Sequence, residues 1–164
     1  IIARRQPAAG DLRMVLMMIK TITDLERIGD EAAKVARFAL KAAESNQKLT
    51  PRFVEIKAMA NSARDMLHMA LDAFARSDAT KVIEIAHMDE EVDEQYQAAI
   101  RQLITFMLED PRTISISLEV LFVAKAVERI GDHAKNISEY VVYMVKGKDV
   151  RHVTMEEMEH EATS

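Results

Sequence analysis

Apolar residues recur every three or four positions along most of this chain, the spacing that places them on one face of an α-helix. The first such stretch covers residues 11–45, after a break predicted at Gly10. Three more helices are predicted at residues 51–76, 79–109 and 113–146. The strict alternation typical of half-buried strands is absent from the sequence. The pattern therefore predicts an all-α fold built from long antiparallel helices.

Residues that commonly begin or end helices separate these stretches. Thr50 and Pro51 suit the N-cap and the first turn of the second helix. Asp110–Pro111 interrupts the pattern between the third and fourth helices, because the residue before a proline disfavours the helical conformation. Gly147 suits the C-terminal end of the last long helix. Residues 148–164 are polar and acidic, and we expect this tail to fray.

The apolar residues of the first long helix define a stripe about 140° wide on a helical wheel. We expect this stripe to face the core, with the acidic residues of the helix at its border. The stripe consists of Met18, Ile22, Leu25, Ile28 and Ala32.

The five-residue sequence E-R-I-G-D occurs twice, at residues 26–30 and 128–132, each time inside a predicted helix. A glycine within a helix costs about 1 kcal/mol relative to alanine. The Glu and Asp of each copy also place two like charges on one helix face. A repeated and locally unfavourable sequence indicates an internal duplication with a function at both copies. We expect a bound cation to offset the repulsion, and Gly29 and Gly131 to let a neighbouring backbone come close.

A further acidic pair is predicted to face the second copy. Asp93 lies as many residues before the Asp110–Pro111 turn as Glu128 lies after it, and Asp89 and Asp132 are matched in the same way. Because both helices rise by about 1.5 Å per residue, an antiparallel hairpin would bring each pair to the same height. The candidate metal ligands are therefore Glu26, Asp30, Asp89, Asp93, Glu128 and Asp132, with Asn136 and Glu139 as candidates for a further ligand or a supporting role.

Carboxylate oxygens suit hard cations, so the expected ion is iron, manganese or magnesium, with calcium also compatible. Two alternatives stay open. The acidic pairs could be solvated surface charges with Arg27 and Arg129 as partners. Glu84-x-x-His87 has the spacing found in ferritin-like, carboxylate-bridged metalloenzymes, although that architecture needs two such motifs.

Composition narrows the class of protein. The net charge of −5 argues against a nucleic-acid partner. The chain has no cysteine, which excludes disulfides and thiolate metal sites. No apolar run approaches the roughly 20 residues of a membrane span, so no direct membrane span is expected.

Two helical repeats that each carry an acidic motif in the E-R-I-G-D context resemble the PhoU family of phosphate-uptake regulators. The similarity covers nearly the whole chain, and further residues that support it lie at 2–7, 71–76, 92–93 and 112–113. The resemblance implies tandem three-helix bundles, with multinuclear metal sites formed by the acidic motifs of each bundle.

The resemblance also divides the chain. Residues 1–47 correspond to the remnant of a first, incomplete helical repeat, residues 48–147 to a second three-helix bundle, and residues 148–164 to a polar C-terminal tail. The chain is therefore expected to be truncated at its N-terminus. The stripe on the first helix then lacks partners. We expect either that the chain forms a homo-oligomer through this helix or that the helix folds back onto the second bundle.

The function implied by the resemblance is that of an accessory regulator and not of an enzyme. The implied partners are the ATPase of a phosphate ABC transporter and a membrane-bound sensor histidine kinase, whose output is held down when phosphate is plentiful. The implied location is the cytoplasm, at the inner face of the membrane through these partners. A ferritin-like metalloenzyme and a metal-free helical scaffold remain as alternatives. The sequence favours a regulator because it offers no second Glu-x-x-His motif with matching flanks and no nucleophile motif.

Overall fold

The computed structural model describes residues 9–44, 54–147 and 154–163. These residues form five α-helices and no strand, which confirms the all-α prediction. Within the described helices, none combines the length and apolar content needed to cross a membrane. The helices are α1 (Ala9–Glu44), α2 (Val54–Arg76), α3 (Val82–Glu109), α4 (Ile114–Lys146) and α5 (Met155–Thr163), with short 3-10 turns at Ala79–Lys81 and Pro111–Thr113.

Helices α2, α3 and α4 form an up-down-up bundle, and α1 packs against α4. Helix α4 contacts all three of the other long helices, and for this reason it has more buried residues than any other described helix. The bundle interior is filled by large apolar side chains from α2, α3 and α4. Its fully buried members include Met59, Met66, Ile85, Val92 and Ile137.

The predicted helix boundaries before α3, before α4 and after α4 coincide with turns in the structure. The carboxylate of Asp78 accepts a hydrogen bond of 2.9 Å from the backbone N–H of Thr80, at the turn before α3. Asp110 accepts one of 3.1 Å from the backbone N–H of Arg112, at the turn before α4. Gly147 ends α4 with a φ of 71°, in the left-handed region that favours glycine.

Two of the predicted helix boundaries are not confirmed. Gly10 is not a break, because α1 begins at Ala9 and includes it. The predicted cap at Thr50 and Pro51 lies outside the described residues.

Helix α1 presents a mixed polar and apolar face to α4. Of the predicted stripe only Ile28 is buried, so the predicted orientation of α1 is wrong. The buried face is centred about 80° from the centre of that stripe on a helical wheel. Hydrogen bonds and ion pairs with α4, described below, account for this rotation. The buried residues of α1 are Met17, Thr21, Asp24, Ile28 and Glu31.

The apolar stripe of α1 is consequently exposed. Ile22 is 66% exposed and Met18 is 46% exposed, whereas Val15 and Leu25 lie near 36–37%. Two arrangements of α1 are expected, and in the structure α1 lies along α4 and so packs onto the bundle formed by α2, α3 and α4. That contact nevertheless leaves the stripe uncovered by the described residues.

The C-terminal region is more ordered than predicted. Residues 155–163 form helix α5 instead of a frayed tail, and this helix packs mainly against α3. Met158 is only 4% exposed and joins a small core with Ala73, Val82 and Val141. The burial of Met158 explains the order, because it gives a short polar helix an apolar anchor.

Candidate metal centre

Three carboxylates from the α3–α4 hairpin converge on one point. Asp93, Glu128 and Asp132 each offer one carboxylate oxygen, and these three oxygens lie within 4.8 Å of one another. Oxygens bound to one cation at about 2.0–2.6 Å are separated by distances of this order. The predicted proximity of Asp93 and Glu128 is therefore present. The arrangement arises because two antiparallel helices bring residues at equal counts from their turn to the same height.

Asp89 adds a fourth carboxylate beside this cluster. It is 5% exposed, and Oδ2 lies 3.2 Å from Nζ of Lys135. Oδ1 is buried and has no hydrogen-bond partner among the described residues. A buried, unpaired carboxylate oxygen carries a desolvation cost that a cation would remove. The residues present therefore fit a hard metal ion.

Glu128 is held by a neighbouring cation. Nζ of Lys125 lies 2.7 Å from Oε2 of Glu128 and forms an ion pair with it. Lys125 also lies over the ring of Tyr96, 5.1 Å from its centroid. Lys125 and Lys135 thus flank the acidic cluster and offset part of its charge.

Burial and mutual repulsion both perturb the titration of the cluster. Burial, followed by the charges of Glu128, Asp89 and Asp93, raises the pKa of Asp132 from 3.8 to about 6. Burial also raises the pKa of Asp93, with further contributions from Asp89 and Glu128. The pKa of Asp89 is raised for the same first reason. A group of acids that resists ionisation is one that gains from a bound cation.

The first E-R-I-G-D copy does not assemble in the same way. Glu26 and Asp30 are exposed on α1, and neither belongs to a group of three converging acids among the described residues. Asp30 lines a cleft of about 980 Å³ beside α4, together with Asp89 and Asp132. The predicted ligand role of Glu26 and Asp30 stays a prediction.

The two glycines do not have the predicted role. A Cβ on Gly29 would meet nothing within 4 Å. On Gly131 it would lie 3.7 Å from Sδ of Met66 and 3.8 Å from a methyl of Val92, which is ordinary van der Waals contact. Neither glycine is needed for a close backbone approach, because Gly29 faces open space and the spacing at Gly131 leaves room for a methyl group.

The two supporting candidates also border the cleft. Asn136 and Glu139 line it, and Glu139 is 5% exposed. Nδ2 of Asn136 donates a hydrogen bond of 3.4 Å to Oδ1 of Asp24 on α1. Asn136 therefore connects α4 to α1 in this structure.

The motif considered for a ferritin-like site is solvent-exposed. Glu84 pairs with Lys81 at 2.7 Å, and Nδ1 of His87 lies 3.7 Å from Glu90. Neither Glu84 nor His87 belongs to the converging acidic group found among the described residues.

Sequence reasoning missed a second polar centre between α1 and α4. Asp24 is 3% exposed, and its Oδ1 lies 2.6 Å from Nδ1 of His133. Its Oδ2 accepts a hydrogen bond of 2.6 Å from the hydroxyl of Tyr140. Asp24 lies one helical turn before Ile28, and Glu31 lies about one turn after Ile28. This helical spacing of two acids around an apolar residue could have indicated that the acids share a buried face with Ile28. His133 follows Asp132 directly, and this places the Asp24 contact next to the acidic cluster.

Comparison with known proteins identifies a family for this chain. The sequence model of the PhoU domain matches residues 1–39 and 56–141, more than half of the chain. The chain belongs to the PhoU family. The resemblance inferred from the repeated acidic motifs is confirmed.

Relatives at high identity share this family. A phosphate-specific transport system accessory protein PhoU homolog from Pseudomonas putida is 49% identical over 96% of the chain and 61% of its own length. The phosphate-specific transport system accessory protein PhoU of Escherichia coli K12 is 46% identical over 97% of the chain and 65% of its own length. The chain thus spans less than two thirds of these relatives. Their names describe accessory proteins and not enzymes, in agreement with the expectation.

Two solved PhoU structures share the fold. PhoU from Pseudomonas aeruginosa superimposes with a TM-score of 0.84 at 48% identity, over 90% of this chain and 70% of that one. The phosphate transport system regulatory protein PhoU from Streptococcus pneumoniae gives a TM-score of 0.78 at 30% identity, over 88% and 67% respectively. The helical architecture of this chain is therefore that of PhoU proteins.

Proposed function

We propose that this chain is a metal-binding accessory regulator of phosphate uptake and of phosphate-responsive two-component signalling. It acts by contact with other proteins. The observation that carries the proposal is the convergence of Asp93, Glu128 and Asp132, whose carboxylate oxygens lie within 4.8 Å of one another in a PhoU-family chain.

Asp93, Glu128 and Asp132 would hold the ion, and Asp89 would contribute its unpaired Oδ1. Iron, manganese and magnesium are the proposed ions, because all candidate ligands are hard oxygen donors. A bound cation neutralises acids that burial and mutual repulsion keep at raised pKa. Its effect is to fix α3 against α4 next to the Asp24 contact with α1.

The proposed partners are a phosphate ABC transporter ATPase and a membrane-bound sensor histidine kinase. The proposed location is the cytoplasmic side of the membrane. Support comes from the relatives, which are named as accessory or regulatory proteins of phosphate transport. In this scheme the chain lowers kinase output when phosphate is plentiful.

Elemental analysis tests the metal part of the proposal. The purified chain is loaded with Mn²⁺, Mg²⁺ or iron, desalted and analysed, and its melting temperature is measured with and without the ion. An ion at a hundredfold excess over Kd stabilises the folded state by about 2.7 kcal/mol, provided that the unfolded chain does not bind it. A triple amide variant should lose both the ion and the shift. Its substitutions are Asp93→Asn, Glu128→Gln and Asp132→Asn.

A matched control removes the same charge outside the cluster. Exposed acids of α3 serve for this purpose, and the control should retain wild-type binding. An unchanged melting temperature over millimolar concentrations of all three ions would contradict the metal site. The control substitutions are Glu90→Gln, Glu91→Gln and Glu94→Gln.

A cell assay tests the regulatory part. In a bacterium that lacks its own PhoU-family protein, expression of the chain should restore repression of a phosphate-controlled reporter in phosphate-rich medium. The triple amide variant should restore less repression than the triple control. Equal repression by both variants would show that regulation does not require the metal site.

A further inference from the structure

A second cavity lies between the C-terminal half of α1 and the N-terminal half of α4. It encloses about 580 Å³, and its apolar wall includes Phe38, Phe122, Val123 and Ala126. Phe38 packs on the main core from α1, whereas Phe122 is 72% exposed. A phenylalanine that exposed, beside a concave apolar wall, is typical of a site that receives a side chain from another molecule. We call this cavity the Phe122 groove.

The rim of the Phe122 groove is basic in an acidic protein. Five cations and two acids line it, although the chain as a whole carries a net charge of −5. The basic excess is therefore local to this groove. The cations are Lys34, Arg37, Lys41, Lys125 and Arg129, and the acids are Glu31 and Glu119.

The two acids of the rim are already paired. Glu31 lies 2.9 Å from Nζ of Lys34 and 3.5 Å from Nη1 of Arg129. Glu119 pairs with Lys41 across the groove. Arg37 makes no ion pair with any residue in the described ranges. The groove thus offers, beside an apolar wall, an arginine whose guanidinium has no ion-pair partner among the described residues.

We infer that the Phe122 groove docks an acidic amphipathic segment of a partner protein. A bulky apolar side chain of that segment inserts between Phe38 and Phe122, and a carboxylate binds the guanidinium of Arg37. Arginine suits this role because its planar fork binds a carboxylate in two places. The inference depends on the proposed function only in that the chain acts by protein contact, since Asp93 and Glu128 do not line the groove.

Other occupants fit the observations less well. Helix α5 of a second copy is acidic, but its apolar residues Met158 and Ala162 are already buried within their own chain. A nucleic acid is disfavoured because its phosphates would be repelled by a chain with a net charge of −5. An anionic bilayer presents a flat surface, whereas the groove is concave.

Fluorescence anisotropy with designed peptides tests the inference. The probe is a labelled helical peptide of about four turns, with leucine and phenylalanine on one face and glutamate on the other. A peptide of scrambled order and a peptide with lysine in place of glutamate are the negative controls. The chain should bind the acidic amphipathic peptide with an affinity that falls as salt rises.

Two substitutions locate the binding. Phe122→Ser and Arg37→Glu should each weaken binding by about tenfold or more. Leu108→Ser is the matched control, because Leu108 is 78% exposed on α3 and lies outside the groove. This control should bind as wild type does. A double variant of the candidate metal centre, Asp93→Asn with Asp132→Asn, keeps the Glu128 partner of Lys125 and should also bind normally, so that failure of the metal proposal and failure of this one are distinguishable.

Several results would overturn the inference. If the scrambled peptide binds as tightly as the acidic amphipathic peptide, or if Phe122→Ser leaves the affinity unchanged, the groove does not bind the segment specifically. Sedimentation in which wild type self-associates and Phe122→Ser does not would assign the groove to a second copy. Binding to vesicles of anionic phospholipid, lost in Phe122→Ser and without binding of the peptide, would assign it to a membrane.

Discussion

The hydroxyl of Tyr140 on α4 donates a hydrogen bond of 2.6 Å to Oδ2 of Asp24 on α1. Asp24 is 3% exposed, and His133 and Asn136 occupy its other oxygen. A buried carboxylate needs such donors, because without them its desolvation is uncompensated. The contact therefore fixes both the rotation of α1 and its height along α4.

Removal of this hydroxyl should destabilise the docking of α1. Tyr140→Phe is expected to lower the free energy of unfolding by about 1–2 kcal/mol, since a hydrogen bond to a charged group is lost while Asp24 keeps its other two partners. The measurement is urea unfolding, with hydrogen exchange of α1 as a local readout. Tyr143→Phe is the matched control, because the hydroxyl of Tyr143 makes no hydrogen bond to the described residues. Equal loss of stability in both variants would contradict this account.

The raised pKa of Asp132 predicts an unusual pH dependence of the metal-free protein. The folded-state pKa is about 6 and the ordinary value is 3.8. Between these values the folded state binds the proton more strongly than the unfolded state, so stability falls as pH rises through this window. At neutral pH the cost is at most about 3 kcal/mol, since one pKa unit corresponds to about 1.4 kcal/mol.

The variant Asp132→Asn removes this cost. In EDTA, its unfolding free energy minus that of wild type should increase from pH 4 to pH 7. Acids with lowered pKa, such as Glu31, favour stability at higher pH, but they are present in both proteins and cancel in the difference. Glu91→Gln, an exposed substitution on α3, should show no such increase. A difference that stays constant or decreases with pH would exclude the predicted role of Asp132.

Part of the candidate metal centre follows from the sequence by simple geometry. Two antiparallel helices rise equally per residue, so counting from the Asp110–Pro111 turn was enough to place Asp93 beside Glu128. The rotation of α1 did not follow. Its hydrophobic pattern favoured the stripe around Ile22, whereas the observed face depends on Asp24 finding donors on α4. Such a pairing joins residues more than a hundred positions apart, and no local periodicity encodes it.

Helix α5 was missed for a different reason. Its apolar residues are Met155, Met158 and Ala162, too few to stand out within a short acidic segment. Met158 is buried because it packs into a small core with Ala73, Val82 and Val141, residues that lie far from it in the sequence. A short helix of this kind is stabilised by tertiary packing and not by its own sequence.

The packing of α5 leads to a local prediction. Met158→Ala should remove most of its anchor, and the amides of Met155–Thr163 should then exchange with solvent faster than in wild type. Hydrogen exchange followed by mass spectrometry measures this directly. Glu159→Ala, an exposed substitution in the same helix, should leave exchange nearly unchanged. Equal exchange in Met158→Ala and wild type would mean that Met158 does not hold α5 in place.

The exposed stripe of α1 predicts self-association. Ile22 is 66% exposed and Met18 is 46% exposed, with Val15 and Leu25 beside them. Burial of such a side chain contributes about 1.5–3 kcal/mol, and contiguous apolar surface of this kind commonly forms interfaces. We therefore expect the chain to form a homo-oligomer through α1, detectable by sedimentation velocity at micromolar concentration. Met18→Glu combined with Ile22→Glu should give a monomer, whereas Leu108→Glu, at a residue 78% exposed on α3, should not. A wild-type monomer over this range, or an oligomer that survives the double substitution, would rule out the α1 interface.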